Sequence, residues 1–503
     1  MRALLDTNIL IHREAATVVR QDIGILFNWL DRLAVQKWVH PVSVEEIFQH
    51  QDDRVRRSFA AKLASYHTIQ AIAPLTPEVM AVSHALDVTD NDRRDSVILN
   101  ELYVGHADIL ITEDRGISRK AEELGISDRV FTIDAFLEKA AAENPNLIDY
   151  RVLSVAKKLF GDVSLSDPFF DSFRVDYPEF KRWFGQKSQE PAYVCLEENR
   201  IVAFLYLKVE NEREPYPDIV PQFPAKKRLK IGTLKVELNG FKLGERFLKI
   251  VFDNAIRQRV DEIYVTIFPY SIVQERLIHL LEDFGFILYG EKRNAYGNEQ
   301  VYVRNMIPVV DAQNPQHTFP FVSRSSRIFL VPIYPEYHTE LLPDSILSNE
   351  SPSDFVEHEP HRNAIRKVYI SRSYFRELHS GDVIVFYRTG GYYQSVVTTL
   401  GIIENVHRDI ADEAQFLRLC RQRSVFSDEE LRQQWQYRQS NHPFVVDFLY
   451  AYSFPRRPNM EALIQNGVIR DVESAPRGFE RITAQQFETV VRLSGTDPRL
   501  IVD

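Results

Sequence analysis

Cysteine is nearly absent: Cys195 and Cys420 stand far apart in a chain of 503 residues. That excludes a disulfide framework and a thiolate zinc cluster, and it points to a reducing compartment. Long apolar runs are missing too. None approaches the ~20 residues needed to span a bilayer, and charge interrupts each candidate, as Arg304 does in residues 301–310. The opening MRALLDTNILIH is broken at Asp6 and lacks the apolar region and small-residue cleavage site of a secretory signal, so the expectation is a cytoplasmic protein. Positive charge is also short. A formal net charge of −10 excludes a wholesale electrostatic hold on nucleic acid and leaves only local contacts. There is no internal repeat and no low-complexity tract.

Hydrophobic residues at 44% and charged residues at 26% suit a globular chain, and the length exceeds what one core usually supports. Three regions emerge. Residues 1–145 alternate short apolar runs (ALL, ADILIT, RVFTI) with amphipathic stretches, the layout of a parallel sheet with covering helices. The segment Glu143–Asn146 breaks that pattern with a proline and two asparagines. Residues 150–310 hold a hairpin at 192–209, then strand, turn and helix at 234–256, then a buried strand EIYVTIF and another helix. Residues 318–503 read mainly as strands (RIFLVPIY, AIRKVYIS, GDVIVFYR, VVTTLGIIENV), as in a small barrel with helices around it.

Acidic residues stand out in the first region. Asp6 follows the strand-like Ala3–Leu5, and Asp114 follows Ile109–Glu113, placing two acids where strands of an open α/β sheet end and ligands bind. Glu46 lies near the start of a helical stretch, and Asp95 is expected to open another. Converging carboxylates suit a hard ion such as Mg²⁺ or Mn²⁺, which activates water and neutralises phosphate charge. Each acid alone reads as an ordinary helix-terminal or surface carboxylate. The order LLDTN at the N-terminus, VEEI on a helix, DSVIL and ITEDR resembles PIN-domain nucleases. That resemblance implies Asp6, Glu46, Asp95 and Asp114 as catalytic metal-binding acids, with Asn8, Thr112 and Asp92 in support.

The strand–turn–helix around Leu238–Ile250 and the later LLEDFGFILYG resemble the Gcn5-related N-acetyltransferase (GNAT) fold. In that family a glycine-rich turn opens a helix whose N–H groups hold the pyrophosphate of acetyl-coenzyme A, and Gly244 matches the glycine. Phe241 and Arg246 depart from the pattern, Arg246 by placing bulk where a small residue is expected, and Leu281 stands at the family's tyrosine acid. These departures count against the coenzyme, leaving a scaffold or partner surface as the alternative. The basic run Lys226, Lys227, Arg228 has the chemistry to contact phosphates, although a solvated loop is the more common explanation.

The third region, around GDVIVFYRTGGYY, resembles PUA-like barrels of the ASCH and EVE type, and Arg372, Arg388, Tyr392 and Tyr393 offer basic and stacking chemistry for RNA. Packing on a sheet explains the tyrosines equally well. The expected architecture is therefore multidomain α/β: a PIN-like parallel sheet, a GNAT-like α/β domain and a PUA-like β-barrel with helices. The expected function is a Mg²⁺- or Mn²⁺-dependent endoribonuclease cleaving RNA such as tRNA, a toxin or defence effector controlled by an antitoxin or regulatory protein. Alternatives are an acetyl-coenzyme A-dependent N-acetyltransferase on a PIN platform, and a non-catalytic RNA-binding adapter.

Overall fold

The structure is a computed structural model that describes the chain apart from residues 16–20, 52, 134, 138–139, 141–153, 198–199, 238–242, 295–296, 346–361, 363, 391–394, 422, 439 and 503. Phe241, Tyr392 and Tyr393, and the residues around the expected boundary at 145–150, lie outside the described residues. The chain forms two compact units, residues 1–149 with 237–240, and residues 150–236 with 241–503. Among the described residues no helix is long and apolar enough to cross a membrane.

The first unit is built on a five-stranded sheet in the order β3-β2-β1-β4-β5, with β1 Arg2–Leu5, β2 Gln36–Val39, β3 His67–Thr68, β4 Ile109–Ile111 and β5 Val130–Phe131. All neighbouring pairs are parallel. Both faces are covered, which explains the unbroken apolar strands. Ala3, Leu5, Ile109 and Ile111 join one core cluster, while the alternate residues Leu4 and Leu110 join another on the opposite face. The expected acids lie in α3 Pro41–Gln49 and α6 Asp90–Tyr103 and immediately before α1 Thr7–Ala15 and α7 Arg115–Glu123, with α2 Gln21–Arg32, α4 Asp53–Lys62 and α5 Pro77–Leu86 completing the cover.

One local expectation needs correction. Asp95 does not open its helix, because Thr89 is the N-cap and forms a reciprocal capping box with Asp92. The cap draws the helix start back by more than a turn, so Asp95 sits inside α6.

In the second unit, an eight-stranded mixed sheet runs in the order β6-β7-β8-β10-β11-β13-β12-β9. Its strands are β6 Ser154–Leu159, β7 Pro191–Glu197, β8 Arg200–Glu210, β9 Ile219–Val220, β10 Arg228–Val236, β11 Glu262–Ile267, β12 Ile287–Asn294 and β13 Gly297–Asn305. The pair β10 and β11 is parallel, and the helix Leu243–Gln258 connects them. Neighbouring pairs on both sides are antiparallel. Beneath β7 and β8 packs an aromatic cluster of Phe160, Phe169, Phe170, Phe180, Phe184 and Phe204, largely edge to face.

The same unit holds a six-stranded mixed sheet in the order β16-β19-β18-β17-β15-β20. Here β15 is Ile328–Ile333, β16 Arg366–Ser371, β17 Val383–Arg388, β18 Val396–His407, β19 Phe444–Ser453 and β20 Glu480–Ile482, while β14 Val322–Ser323 pairs with β21 Ile501–Val502 apart from it. A polar joint links this sheet to the helix Leu243–Gln258. Glu245 Oε2 accepts from the N–H groups of Ile365 at 2.9 Å and Arg366 at 3.1 Å, and Arg246 Nη1 donates to Asp344 Oδ2 at 2.8 Å.

Candidate functional site

In the first unit, the register Leu5↔Ile111 brings the ends of β1 and β4 side by side, and Asp6 and Thr112 leave those ends together. Asp6 Oδ2 accepts from the Thr112 hydroxyl at 2.7 Å, and Oδ1 from the Thr7 N–H at 2.6 Å. Burial pushes the Asp6 carboxyl up to about 6 against those two hydrogen bonds. Asp95 rises to about 8, first through burial and then through the charges of Asp6 and Asp114, with Glu46 adding to them. The four expected acids therefore share one crevice.

Oxygens of three of the four, Asp6, Glu46 and Asp114, are already engaged by the protein. Glu46 Oε2 accepts from the Thr7 hydroxyl at 2.7 Å, and Oε1 pairs with Arg94 at 3.1 Å. Asp114 is the N-cap of α7 and accepts from the Ile117 N–H at 3.1 Å. Asp92 is held by the N–H groups of Thr89 and Val88, and Asn8 is exposed on α1. Among the described residues, no group of three or more Asp, Glu, His or Cys side chains is placed to hold a metal ion.

The basic run of the second unit is likewise occupied. Arg228 is fully buried, with Nε donating to Glu262 Oε2 at 2.8 Å and its guanidinium 4.2 Å from the Phe223 ring centre. Lys226 pairs with the other oxygen of Glu262, and Lys227 bonds the Gln258 carbonyl. At the start of β10, Lys226 and Arg228 tie the chain to β11 and Lys227 ties it to the end of the helix Leu243–Gln258. Arg388 ends β17, half-buried, and Arg372 lies just beyond β16.

A different feature dominates the eight-stranded sheet. The parallel strands β10 and β11 stay paired only from Arg228↔Glu262 to Ile231↔Val265. Beyond that point β10 continues to Val236 against β8 alone, and β11 continues to Ile267 against β13 alone. A register shift between Ile231 and Thr233 accompanies the parting, and glycine is needed there because a Cβ on Gly232 would lie 2.6 Å from the Tyr206 ring. The result is a fork at the carboxyl ends of two parallel strands, beside the helix that joins them. Such a fork is where ligands bind in sheets with parallel strands, since backbone groups on its inner edges lack a neighbouring strand.

Polar side chains collect on one face of the sheet beside the fork. Glu299 is nearly buried and accepts at Oε1 from the Tyr177 hydroxyl at 2.6 Å and from Thr266 at 3.1 Å. Thr266 is the first residue of β11 past the parting. Lys292 Nζ lies 3.6 Å from Glu299 Oε2. Toward the closed end, Glu210 Oε2 accepts from Tyr264 at 2.7 Å and Tyr216 at 2.9 Å. Burial, opposed by those hydrogen bonds, leaves Glu210 below its ordinary value, while burial holds Lys230 below its own.

Sequence reading missed this group because Tyr177, Thr266 and Glu299 come from three separated elements. One signal was present: the inward parity of β13 runs through Val303 and Val301 to residue 299, where a carboxylate interrupts it.

No protein-family model and no curated protein matches the chain. Solved structures are similar to part of it. One is the NatC complex bound to Gag peptide and CoA, at 16% identity and a TM-score of 0.22 over 30% of this chain and 98% of that one. Another is Arabidopsis thaliana Naa50 in complex with the bisubstrate analogue CoA-Ac-MVNAL, at 16% identity and a TM-score of 0.22 over 30% of this chain and 99% of that one. A third is a GNAT family acetyltransferase from Elizabethkingia anophelis with acetyl-CoA bound, at 12% identity and a TM-score of 0.22 over 31% and 99%.

The expected Mg²⁺- or Mn²⁺-dependent endoribonuclease, with a metal as principal cofactor, is corrected on the geometry: among the described residues no group of three or more acidic, histidine or cysteine side chains is placed to hold a metal ion. In the crevice, threonine hydroxyls, an arginine and a helix N–H group engage oxygens of Asp6, Glu46 and Asp114.

One argument against the coenzyme also changes. Arg246 turns its guanidinium to Asp344, so the bulk expected in the turn is directed elsewhere. Leu281 is fully buried in the core and supplies no acid, as expected. Gly244 opens the helix, and a Cβ there would meet Leu280 Cδ2 at 2.9 Å, so the glycine also permits helix packing.

Proposed function

We propose that the second unit binds an acyl-coenzyme A in the fork between β10 and β11 and transfers the acyl group to an amine. The observation that carries this reading is the parting of the two parallel strands after Ile231↔Val265. An extended arm containing amides fits such a fork by bonding to strand edges, as an added strand does. The inner edges of 233–236 and of Thr266–Ile267 would hold that arm, and the start of the helix Leu243–Gln258 would face its phosphates.

The thioester supplies an activated carbonyl when bound. Glu299 would take the proton from the attacking amine as the C–N bond forms and the C–S bond breaks, and the carrier would leave as a thiolate that takes up a proton from water, the carboxyl then returning its own proton to solvent. Tyr177 and Thr266 hold that carboxylate in place through Oε1, and Lys292 Nζ lies 3.6 Å from Oε2.

Incubating the full chain with acetyl-coenzyme A and a panel of amines, with free thiol as the readout, tests the reading. Amine-dependent thiol release is expected. Absence of release with every acceptor, together with no calorimetric binding of acetyl-coenzyme A, would contradict it.

A further inference from the structure

Beside the fork stands a cation that the acyl transfer described above does not use. Lys230 of β10 is level with Tyr264 of β11 in the parallel pair, so the two side chains share one face of the sheet. Thr266 comes two residues after Tyr264 on that face, and Glu299 reaches it from β13, where Val301 and Val303 pack with Tyr264. Lys230 and Glu299 are therefore on the same face. The point where β10 and β11 part, after Ile231↔Val265, lies between the levels of Lys230 and Thr266. One strand across and two residues along separate the backbones of Lys230 and Thr266 by about 8 Å, and a lysine side chain spans much of that. One small molecule can touch both groups.

The neighbouring cations are paired. Lys208 donates to Glu210 at 3.0 Å and Glu214 at 2.7 Å, Arg228 is bonded to Glu262, and Lys292 stands between Asp218 at 3.7 Å and Glu299 at 3.6 Å. Lys230 differs from them. It is half-buried, and among the described residues its ammonium has neither a hydrogen bond nor an ion pair; it lies 5.7 Å from the Tyr264 ring centre. Burial without a counter-charge disfavours an ammonium, and an anion arriving beside it relieves that cost. The charges of Glu210 and Glu299 also reach Lys230, and they oppose a ligand with a second negative charge.

We infer that the acceptor is a small amine that carries a carboxylate, an amino acid, with Lys230 binding the carboxylate and Glu299 receiving the proton of the amine. This rests on the acyl-transfer reading of the fork and adds the class of acceptor to it. A diamine would set a second cation against Lys230, and a phosphate-bearing amine would bring a dianion between two carboxylates. A carboxylate meets the one ammonium with a charge-assisted hydrogen bond.

The test is thiol release by the full chain from acetyl-coenzyme A with β-alanine and 4-aminobutyrate, each beside its carboxamide, and with 2-aminoethylphosphonate. The acids are expected to exceed their amides in kcat/KM by about tenfold or more, mainly through KM, and β-alanine to exceed the phosphonate. In Lys230→Gln the ratio of acid to amide is expected to collapse at least several-fold, while calorimetric binding of acetyl-coenzyme A persists. Comparing that ratio between the two proteins cancels the different basicity of the amines. Lys230→Arg keeps the charge and is expected to keep the preference. Amides used as well as acids by the parent, a preference that Lys230→Gln leaves intact, or a preference for the phosphonate would overturn the inference and leave acyl transfer standing. Thiol release with none of these acceptors, while other amines support it, would also overturn the inference alone. Release with no amine at all would contradict the acyl-transfer reading, and the inference would fall with it.

Discussion

Glu299→Gln is expected to slow amine-dependent thiol release by about 10²–10⁴-fold while acetyl-coenzyme A still binds, because the change removes a proton acceptor and keeps the shape of the side chain. Glu299 lies among donors: Tyr177 and Thr266 at Oε1, and Lys292 beyond hydrogen-bond distance of Oε2. A glutamine there still accepts from Tyr177 and Thr266 through its carbonyl oxygen, so the local fold is preserved. Steady-state rates set beside calorimetric titration of acetyl-coenzyme A separate the two effects. A variant as fast as the parent would remove Glu299 from the chemistry. Loss of affinity in step with rate would make it a binding group instead.

The joint between the helix Leu243–Gln258 and the six-stranded sheet gives the second large effect. Asp344→Asn is expected to destabilise the second unit by about 3 kcal/mol, since a partly buried arginine then loses its charged partner. The Asp344 side chain is 26% exposed, which keeps the figure at the low end of the range for breaking such pairs. Burial opposes ionisation of Asp344, yet Arg246, with Lys249 and Lys367, holds it down to about 2. A carboxyl depressed on folding stabilises above its ordinary value and loses that contribution as pH falls through 2.

Lys367 behaves in the opposite way. It is fully buried, and burial brings its ammonium down to about 7 against the pull of Asp344. Between pH 7 and about 10 the unfolded chain holds a proton that the folded chain has released, so the unit gains stability as pH rises across that window. Asp344→Asn removes a charge that supports the Lys367 ammonium, and the rise then begins at lower pH. Urea unfolding of parent and variant at pH 6, 7 and 9 checks both statements. Equal stability of the two proteins at pH 7 would show that the joint contributes nothing.

Much of the first unit was legible because its physics is local. Apolar runs such as Ala3–Leu5 and Ile109–Ile111 became parallel strands buried on both faces, and Asp6 and Asp114 left adjacent ends as the strand-end argument requires. What the sequence concealed was the company those acids keep. Thr7, Thr112, Arg94 and the first turn of α7 engage oxygens of Asp6, Glu46 and Asp114, and partners separated by up to 106 residues, as Thr112 is from Asp6, leave no local pattern. The start of α6 was misplaced because the aspartate that closes a capping box with Thr89 looks the same as one that faces a crevice.

In the second unit, the strand, turn and helix leading into Leu243–Gln258 were visible, but the fork was not. Strand separation depends on which neighbour each half of β10 and β11 pairs with, and that is a property of the sheet. The same limit applies to Arg246. Its bulk argued against a tight turn only while its direction was unknown, and Asp344, which redirects it, lies 98 residues away.

Hydrogen exchange of the full chain with and without acetyl-coenzyme A, read at the amides of residues 233–236 and 266–267, tests the fork most directly. The account predicts added protection of these amides on binding, because an amide-bearing arm occupies the inner edges that no strand covers. Binding of acetyl-coenzyme A that leaves their exchange unchanged, or protects amides elsewhere in the chain instead, would contradict it.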